Sequence, residues 1–305
     1  MELIEEFEKH YSGLTDYDSF LESIAEPLRK SIRINTLKAG IGEARKKLAE
    51  DWKLDPVPWC KEGFWIKDTA GSRTDIGNIP EHNSGSFFIQ EAASMIPVTV
   101  LDPHPNEKVL DICASPGGKT TQIAQYMENK GEILATDVRD DRIAILQRNI
   151  GRMGVTNCTI QKSSGQQLKD LKFDRVLVDA PCSGTGIARL DTIADWKPEV
   201  PERIAGEQRS LLHSAYCLLK KKGLLVYSTC SLEPGENEAV VDWLLKRHKK
   251  TELEAIEFAG KRSEPFLEYQ NAPFDKSISN CLRLWPQDNN TSGFFVAKIR
   301  KLAKK

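Results

Sequence analysis

The 305-residue sequence predicts an α/β fold: a mostly parallel sheet with helices on both faces and an antiparallel last strand, preceded by a small α+β domain. Three observations predict it. From about Glu107 onward, short apolar runs alternate with helix-like stretches. A turn of small residues, LDICASPGGKT (110–120), joins the first of these runs to a helix. Two cysteine tripeptides, Pro181-Cys182-Ser183 and Thr229-Cys230-Ser231, each follow a further apolar run. In sheets of this kind ligands bind at the carboxyl ends of the strands, where all three motifs fall.

The elements follow in order. KVLDIC (108–113) is the first strand, and the helix after it starts near Gly118 and runs through TTQIAQYM. GEILATD (131–137) is the second strand. Residues 139–154 place Ile143, Leu146, Ile150 and Met153 along one helical face, and Gly154 can stop that helix. CTIQ (158–161) is a weak third strand. FDRVLVDA (173–180) is a strong fourth, too apolar to be half exposed. Residues 199–220 are helical, GLLVYSTC (223–230) is a fifth strand, and GENEAVVDWLLKRH (235–248) is the helix behind it. LRLWP (282–286) and SGFFVAKIRK (292–301) form a closing antiparallel pair.

The first hundred residues differ in texture. Helical pieces at 4–10, 18–26 and 41–50 mix with short strands at 32–36, 57–60, 63–66 and 86–89. A helix-like QEAASMIPVTVL (90–101) and the turn DPHPNE (102–107) lead into the larger part. The expected domains are therefore 1–100 and 101–305.

Composition narrows the class of protein. Hydrophobic residues make up 40% and charged residues 29%, enough for a buried core. No apolar run approaches the ~18 residues of a membrane span. The acidic start MELIEEFEKH is neither a secretory signal nor a transit peptide, so a cytoplasmic location is expected. The net charge is −1, yet basic clusters recur at 29–38, 44–48, 219–223, 246–250 and 298–305. A locally positive face on a neutral chain is compatible with RNA. The seven cysteines form no CxxC pair and the five histidines no HxxxH pattern, which argues against a disulfide framework or a zinc site, and no metal is expected. Cys60, Cys113, Cys158, Cys217 and Cys281 read as packed core residues.

The turn at 113–120 is not a P-loop, because Cys113 stands where that motif needs its first glycine. The fingerprint GxGxxG is absent too. What remains is a strand, a small-residue turn and a helix, with Asp137 at the end of the next strand, where a carboxylate can hold a ribose diol. This suits a nucleoside without phosphates, S-adenosylmethionine. The candidate contacts are Cys113, Ala114, Ser115, Pro116, Gly117, Gly118, Lys119, Asp137 and Arg142, with the glycines permitting close backbone approach and Lys119 meeting the methionine carboxylate. Asp179 is a candidate cofactor contact as well, its role split between the cofactor and the target base.

These residues resemble the Sun/Fmu-type (NSUN) RNA cytosine-5 methyltransferases. CASPGGKT resembles that family's cofactor motif, DAPCSGTG (179–186) its fourth motif and YSTCSLEPGENE (227–238) its sixth; QEAASMIP and RLWPQDNNTSGFFVAKIRK (283–301) match its leading and closing segments. The resemblance implies a Rossmann-like S-adenosylmethionine-dependent methyltransferase sheet. The closing motif usually reads PH…DGFF, and Gln287 and Ser292 stand in its place here. The family's usual acidic adenine contact is also missing, and Ser163 or Ser164 is left to take that part.

Cytosine carbon 5 is a poor nucleophile, and adding a thiolate to carbon 6 makes it a good one. Position qualifies both Cys182 and Cys230, since each lies at a strand end beside a helix start. The resemblance implies Cys230 as nucleophile, Cys182 as the residue that assists breakdown of the adduct, and Asp179 as the group on the cytosine edge that helps protonate nitrogen 3. Lys119 is also assigned to the target pocket. A flipped base gains from aromatic and basic neighbours; Trp59, Trp65, Phe87, Phe88 and Trp196 are candidates, as are Arg29, Lys30 and Arg33 for phosphates. The expected partner is tRNA, with rRNA close behind, acting on a monomer without a membrane. Two other classes remain: a methyltransferase for amines or proteins, which needs no cysteine pair, and a non-catalytic RNA-binding or assembly factor, which has no reason to keep both cysteines.

Overall fold

The computed structural model describes residues 2–69, 75–168 and 170–303. The last two residues of the basic cluster at 298–305 therefore lie outside the described residues. In chain order the N-terminal part comprises α1 (Glu2–Ser12), α2 (Tyr17–Ala25), β1 (Ser31–Ile34), α3 (Ile41–Leu48), β2 (Trp52–Pro56), β3 (Gly63–Asp68), α4 (Pro80–Asn83) and β4 (Phe87–Ile89). The larger part follows: α5 (Ile96–Leu101), β5 (Lys108–Ile112), α6 (Gly118–Tyr126), β6 (Glu132–Asp137), α7 (Asp140–Met153), β7 (Cys158–Lys162), β8 (Phe173–Asp179), α8 (Val200–Leu218) and β9 (Leu219–Thr229). It closes with α9 (Glu238–Arg247), β10 (Thr251–Glu254), the ribbon β11 (Glu268–Tyr269) and β12 (Ala272–Pro273), β13 (Leu282–Leu284), α10 (Pro286–Asn289) and β14 (Phe294–Lys301).

The main sheet runs β10-β14-β9-β8-β5-β6-β7. Its five strands from β9 to β7 are parallel, and β14 is antiparallel to β9. β13 pairs with the start of β14 and β10 with its end, so both cover the free edge of that strand. β10 had no counterpart in the sequence reading, because TELE lacks an apolar pattern. Alternation along the central strands splits the core into two layers. Leu110, Val176, Val178, Leu225 and Tyr227 face α8 and α9, whereas Val109, Leu177 and Val226 face α5 and α6. β9 starts four residues earlier than the apolar run suggested. LKKK (219–222) extends the strand past the core, where lysines need no burial.

The N-terminal sheet is antiparallel in the order β2-β3-β1-β4 over its own core. Its first hairpin corrects the expected strand at 57–60. The strand is 52–56; residues 57–60 form the turn, closed by the Cys60 amide on the Val57 carbonyl. α1 and α2 do not join this core. Their Phe7, Tyr11 and Phe20 pack on Trp196, Leu232 and Trp285 of the larger part. Arg33 is also corrected: it is fully buried and cannot meet a phosphate. It bonds Gln90, Gln125, Thr121 and the Gly118 carbonyl, tying β1 to the start of α6. Phe87 and Trp196 are likewise core residues rather than free stacking platforms, whereas Phe88, though mostly buried, forms part of a cavity wall beside Ile89 and Gln90. Among the described residues no helix is long and apolar enough to cross a membrane.

Candidate active site

The chain leaves β5 for β6 and β7 on one side and reaches β8 and β9 on the other, so the order reverses between β5 and β8. A crevice opens there at the carboxyl ends of the strands. The turn after β5 carries Cys113, which has a positive φ of 63°, and Gly117, at φ 103°, caps α6. β8 ends at Asp179 and β9 at Thr229, one residue before Cys230. Asp179 and Ser228 are neighbours in register, which sets the two cysteine loops side by side.

The loops are stitched together through their backbones. The Gly186 amide donates to the Cys230 carbonyl (2.9 Å), and the Gly293 amide donates to the Gly186 carbonyl (2.8 Å). A side chain on Gly186 would stand 2.4 Å from the Gly293 oxygen and 2.7 Å from the Cys230 oxygen, so this approach needs glycine. The result is direct contact of the cysteines: Cys182 Sγ and Cys230 Sγ are 3.3 Å apart.

The two thiols differ in acidity. The Cys230 thiol is lowered from its ordinary value, first by the hydrogen bond from Cys182 and further by the Lys119 ammonium, against opposition from burial and Asp179. The Cys182 thiol is raised well above its ordinary value, first by that same bond to Cys230, then by burial and by the Glu236 carboxylate. Cys113, beside the same crevice, is pushed up to about 12 by burial and by Asp137, Asp179 and Asp111. Burial likewise raises Cys60, Cys158 and Cys281. Cys217, expected in the core, is exposed on α8. Only a thiolate attacks, and of the touching pair the Cys230 thiol is the more readily ionised.

Lys119 Nζ lies 2.8 Å from Asp179 Oδ2 and 3.0 Å from Ser94 Oγ. The Ser228 hydroxyl donates to the other Asp179 oxygen (2.8 Å). Beneath them is a cavity of about 210 Å³ lined by Cys113, Ala114, Ser115, Pro116, Gly118, Lys119 and Asp179 from the sequence-derived set. Gly117, Asp137, Arg142, Ser163 and Ser164 are not in its wall. Gly117 faces Leu146 of α7. Asp137 accepts from the Ser115 and Val138 amides and pairs with Arg142 (3.1 Å), whose guanidinium also bonds the Ser115 carbonyl. Both residues brace the turn. The Ser163 hydroxyl is spent on the Ser164 carbonyl, and Ser164 caps a short turn with Gln167. A larger groove of about 1550 Å³ between Trp59, Tyr126 and Phe258 holds none of these residues.

Three carboxylates near the site escaped the sequence reading. Asp111 lines the cavity, fully buried; burial lifts it to about 7 although the Thr120 hydroxyl pulls it down. Its Oδ1 has no hydrogen-bond partner among the described residues. Glu91, raised by burial, accepts from the Ser292 hydroxyl (2.8 Å), which gives the serine in the closing motif a contact. Glu236 is fully buried between the cysteine loops. Its Oε2 accepts from the Ser183 amide and the Gln208 amide group, each at 2.9 Å; its Oε1 takes the Ser183 hydroxyl and, at 2.8 Å, the Ser231 hydroxyl. A carboxylate within an otherwise apolar strand is the signal that marks Asp111. GENE following a turn reads as an ordinary helix start, and nothing in it announces Glu236.

A lone buried acceptor at about pH 7 invites a cationic group. The amine or sulfonium of S-adenosylmethionine fits Asp111, and the phosphate-free turn fits its nucleoside, so the residues present suit that cofactor.

Comparison with known proteins agrees. The family described as 16S rRNA methyltransferase RsmB/F matches residues 98–300, and the N-terminal domain of 16S rRNA methyltransferase RsmF matches residues 3–92. The chain is 42% identical to the tRNA (cytosine(49)-C(5))-methyltransferase of Pyrococcus abyssi, over 99% of both chains. It is 42% identical to the ribosomal RNA small subunit methyltransferase F of Escherichia coli, covering 93% of this chain but 60% of that one. A crystal structure of a methyltransferase homolog from Pyrococcus horikoshii superposes with a TM-score of 0.84 at 38% identity, over 94% of this chain and 90% of the other.

Proposed function

Because this chain belongs to the RsmB/F family of S-adenosylmethionine-dependent RNA cytosine-5 methyltransferases, we propose that it methylates carbon 5 of a cytosine in tRNA, with Cys230 as nucleophile and Cys182 as the residue that releases the product. The observation that carries this reading is the 3.3 Å contact between the two thiols at the ends of β8 and β9.

When bound, S-adenosylmethionine would supply the methyl group; Asp111, residues 113–116, Gly118 and Lys119 would hold it. The Cys230 thiolate adds to carbon 6 of the cytosine. Asp179, set between the Lys119 ammonium and the Ser228 hydroxyl, takes the ring edge and relays a proton from the Lys119 ammonium to nitrogen 3. Cys182 keeps its hydrogen against the Cys230 sulfur. Once carbon 5 has gained its methyl, its proton passes to solvent water, the carbon 6–sulfur bond breaks with its electron pair returning to the Cys230 sulfur, and the Cys182 thiol assists that departure. Residues 1–100 serve as the RNA-facing unit, where Arg29 stacks over Trp65 at 4.0 Å, and 101–305 as the catalytic one.

The preference for tRNA rests on coverage. The archaeal relative named for a tRNA site matches end to end, whereas the relative named for rRNA is far longer than this chain. A tRNA substrate goes with the cytoplasmic location and single-subunit action expected from the sequence. The test is to incubate the protein with labelled S-adenosylmethionine and either tRNA or 16S rRNA, then map the label by bisulfite sequencing. Label on tRNA alone supports the reading; label on rRNA alone replaces the substrate.

A further inference from the structure

We propose that Glu236 is the positioning residue that decides which of the two touching thiols keeps the proton, holding it on Cys182 and leaving Cys230 free to attack. Two thiols in contact are chemically alike, so their surroundings must break the symmetry. Glu236 does so through its attachments. It holds Ser183 twice, by amide and by hydroxyl, immediately after Cys182. Gln208, its second amide donor, also donates to the Pro181 carbonyl immediately before Cys182 (2.8 Å). Cys182 is thereby bracketed by two residues tied into one buried carboxylate. Cys230 has a single such link, through the Ser231 hydroxyl.

The charge around the pair is correspondingly lopsided. From α6 and β8 come Lys119 and Asp179, bonded to each other. From the turn before α9 comes Glu236, and every donor to it among the described residues is neutral. From β9, the Tyr227 hydroxyl donates to the Glu236 carbonyl (2.6 Å) and fixes the turn. A buried carboxylate without a cation resists ionisation of the nearest acid. Glu236 accordingly adds to the Cys230 contact and to burial in working against a Cys182 thiolate, and Lys119 adds to the Cys182 contact in working for a Cys230 thiolate. A second negative charge on Cys182 would also repel the carbon-6 adduct's leaving thiolate, so one proton kept at Cys182 serves both halves of the reaction.

The test is the pH dependence of iodoacetamide alkylation at each cysteine, resolved by mass spectrometry, for the full-length protein and its Glu236→Gln and Glu236→Asp variants. In the unmodified protein Cys230 reacts at lower pH than Cys182. Glu236→Gln lowers the Cys182 midpoint by about one pH unit, a roughly tenfold gain in its thiolate at fixed pH, and narrows the gap between the two. Glu236→Asp, which keeps the charge, keeps the order. Glu236→Gln also lowers kcat while KM for RNA holds. An unchanged gap in Glu236→Gln, whatever its activity, reduces Glu236 to a staple and overturns the proposal. So does a Cys182 midpoint below that of Cys230 in the unmodified protein, which decides the matter even if the glutamine variant does not fold. The catalytic consequence rests on the cytosine-methylation reading, but alkylation needs no RNA. An unmodified protein that labels neither tRNA nor rRNA defeats that reading alone.

Discussion

Cys182 and Cys230 lie 48 positions apart in the chain, and their sulfur atoms stand 3.3 Å from one another. Neither loop reaches the other by itself. The parallel pairing of β8 with β9 brings them level, and the Gly186 amide on the Cys230 carbonyl closes the gap. The contact makes one thiol the hydrogen-bond donor of the other, and acidity divides accordingly.

Replacing Cys182 separates the hydrogen bond from the bulk of the side chain. Cys182→Ala removes the donor that lowers Cys230, so the Cys230 alkylation midpoint rises by about one pH unit and less of it is thiolate at neutral pH. Cys182→Ser keeps a hydroxyl donor and keeps the midpoint near its original value. An alanine variant with an unmoved midpoint removes the hydrogen bond from the account.

Asp111 gives the cofactor site a pH signature. Its folded pKa, about 7, lies above its ordinary 3.8. The stability this contributes is complete below about pH 4 and is lost as pH rises through about 7. Asp111→Asn removes that slope, so thermal melts should show the variant gaining on the unmodified protein from pH 5 to 8, by a few kcal/mol at most. Binding of the cationic cofactor needs the carboxylate ionised. Its Kd should therefore rise about tenfold for each pH unit below 7 in titration calorimetry, and Asp111→Asn should weaken binding at every pH. Equal affinity at pH 6 and 8 would remove Asp111 from the site.

Gly186→Ala tests how closely the loops must approach. Its new carbon would meet two backbone oxygens at 2.4 and 2.7 Å, neither of which can rotate aside. A stability loss of about 1–3 kcal/mol is expected, with a larger fall in kcat than in cofactor affinity, because one of the two displaced oxygens is the Cys230 carbonyl. Stopped kinetics beside calorimetry checks this; full activity would show that the loop tolerates the shift.

Much of this fold was legible because the middles of its strands are buried on both faces and so read as short apolar runs, as Val176-Leu177-Val178 does. Gly154 in a left-handed conformation ended α7 where its sequence suggested. β10 was not legible, since TELE carries one apolar residue and no pattern that a loop lacks; the strand at 52–56 was missed although Trp52 and Leu54 alternate with polar neighbours, because that run is short and ends in Pro56. The cysteine pair was visible as a pair, but its asymmetry was not. That asymmetry depends on Glu236 and Lys119, which arrive from different elements, and on a contact that only the folded sheet creates. Arg33 shows the reverse case. A basic cluster reads as a phosphate site, yet this member of it is the buried tie between β1 and α6.

The most direct measurement is a denaturing gel of Cys182→Ala and Cys230→Ala, each incubated with S-adenosylmethionine and tRNA, with 16S rRNA in parallel. Cys182→Ala should accumulate a protein band retarded by attached RNA, while Cys230→Ala forms no such band, binds the cofactor normally and transfers no methyl. A retarded band in Cys230→Ala, or methyl transfer by it, would contradict attack through Cys230.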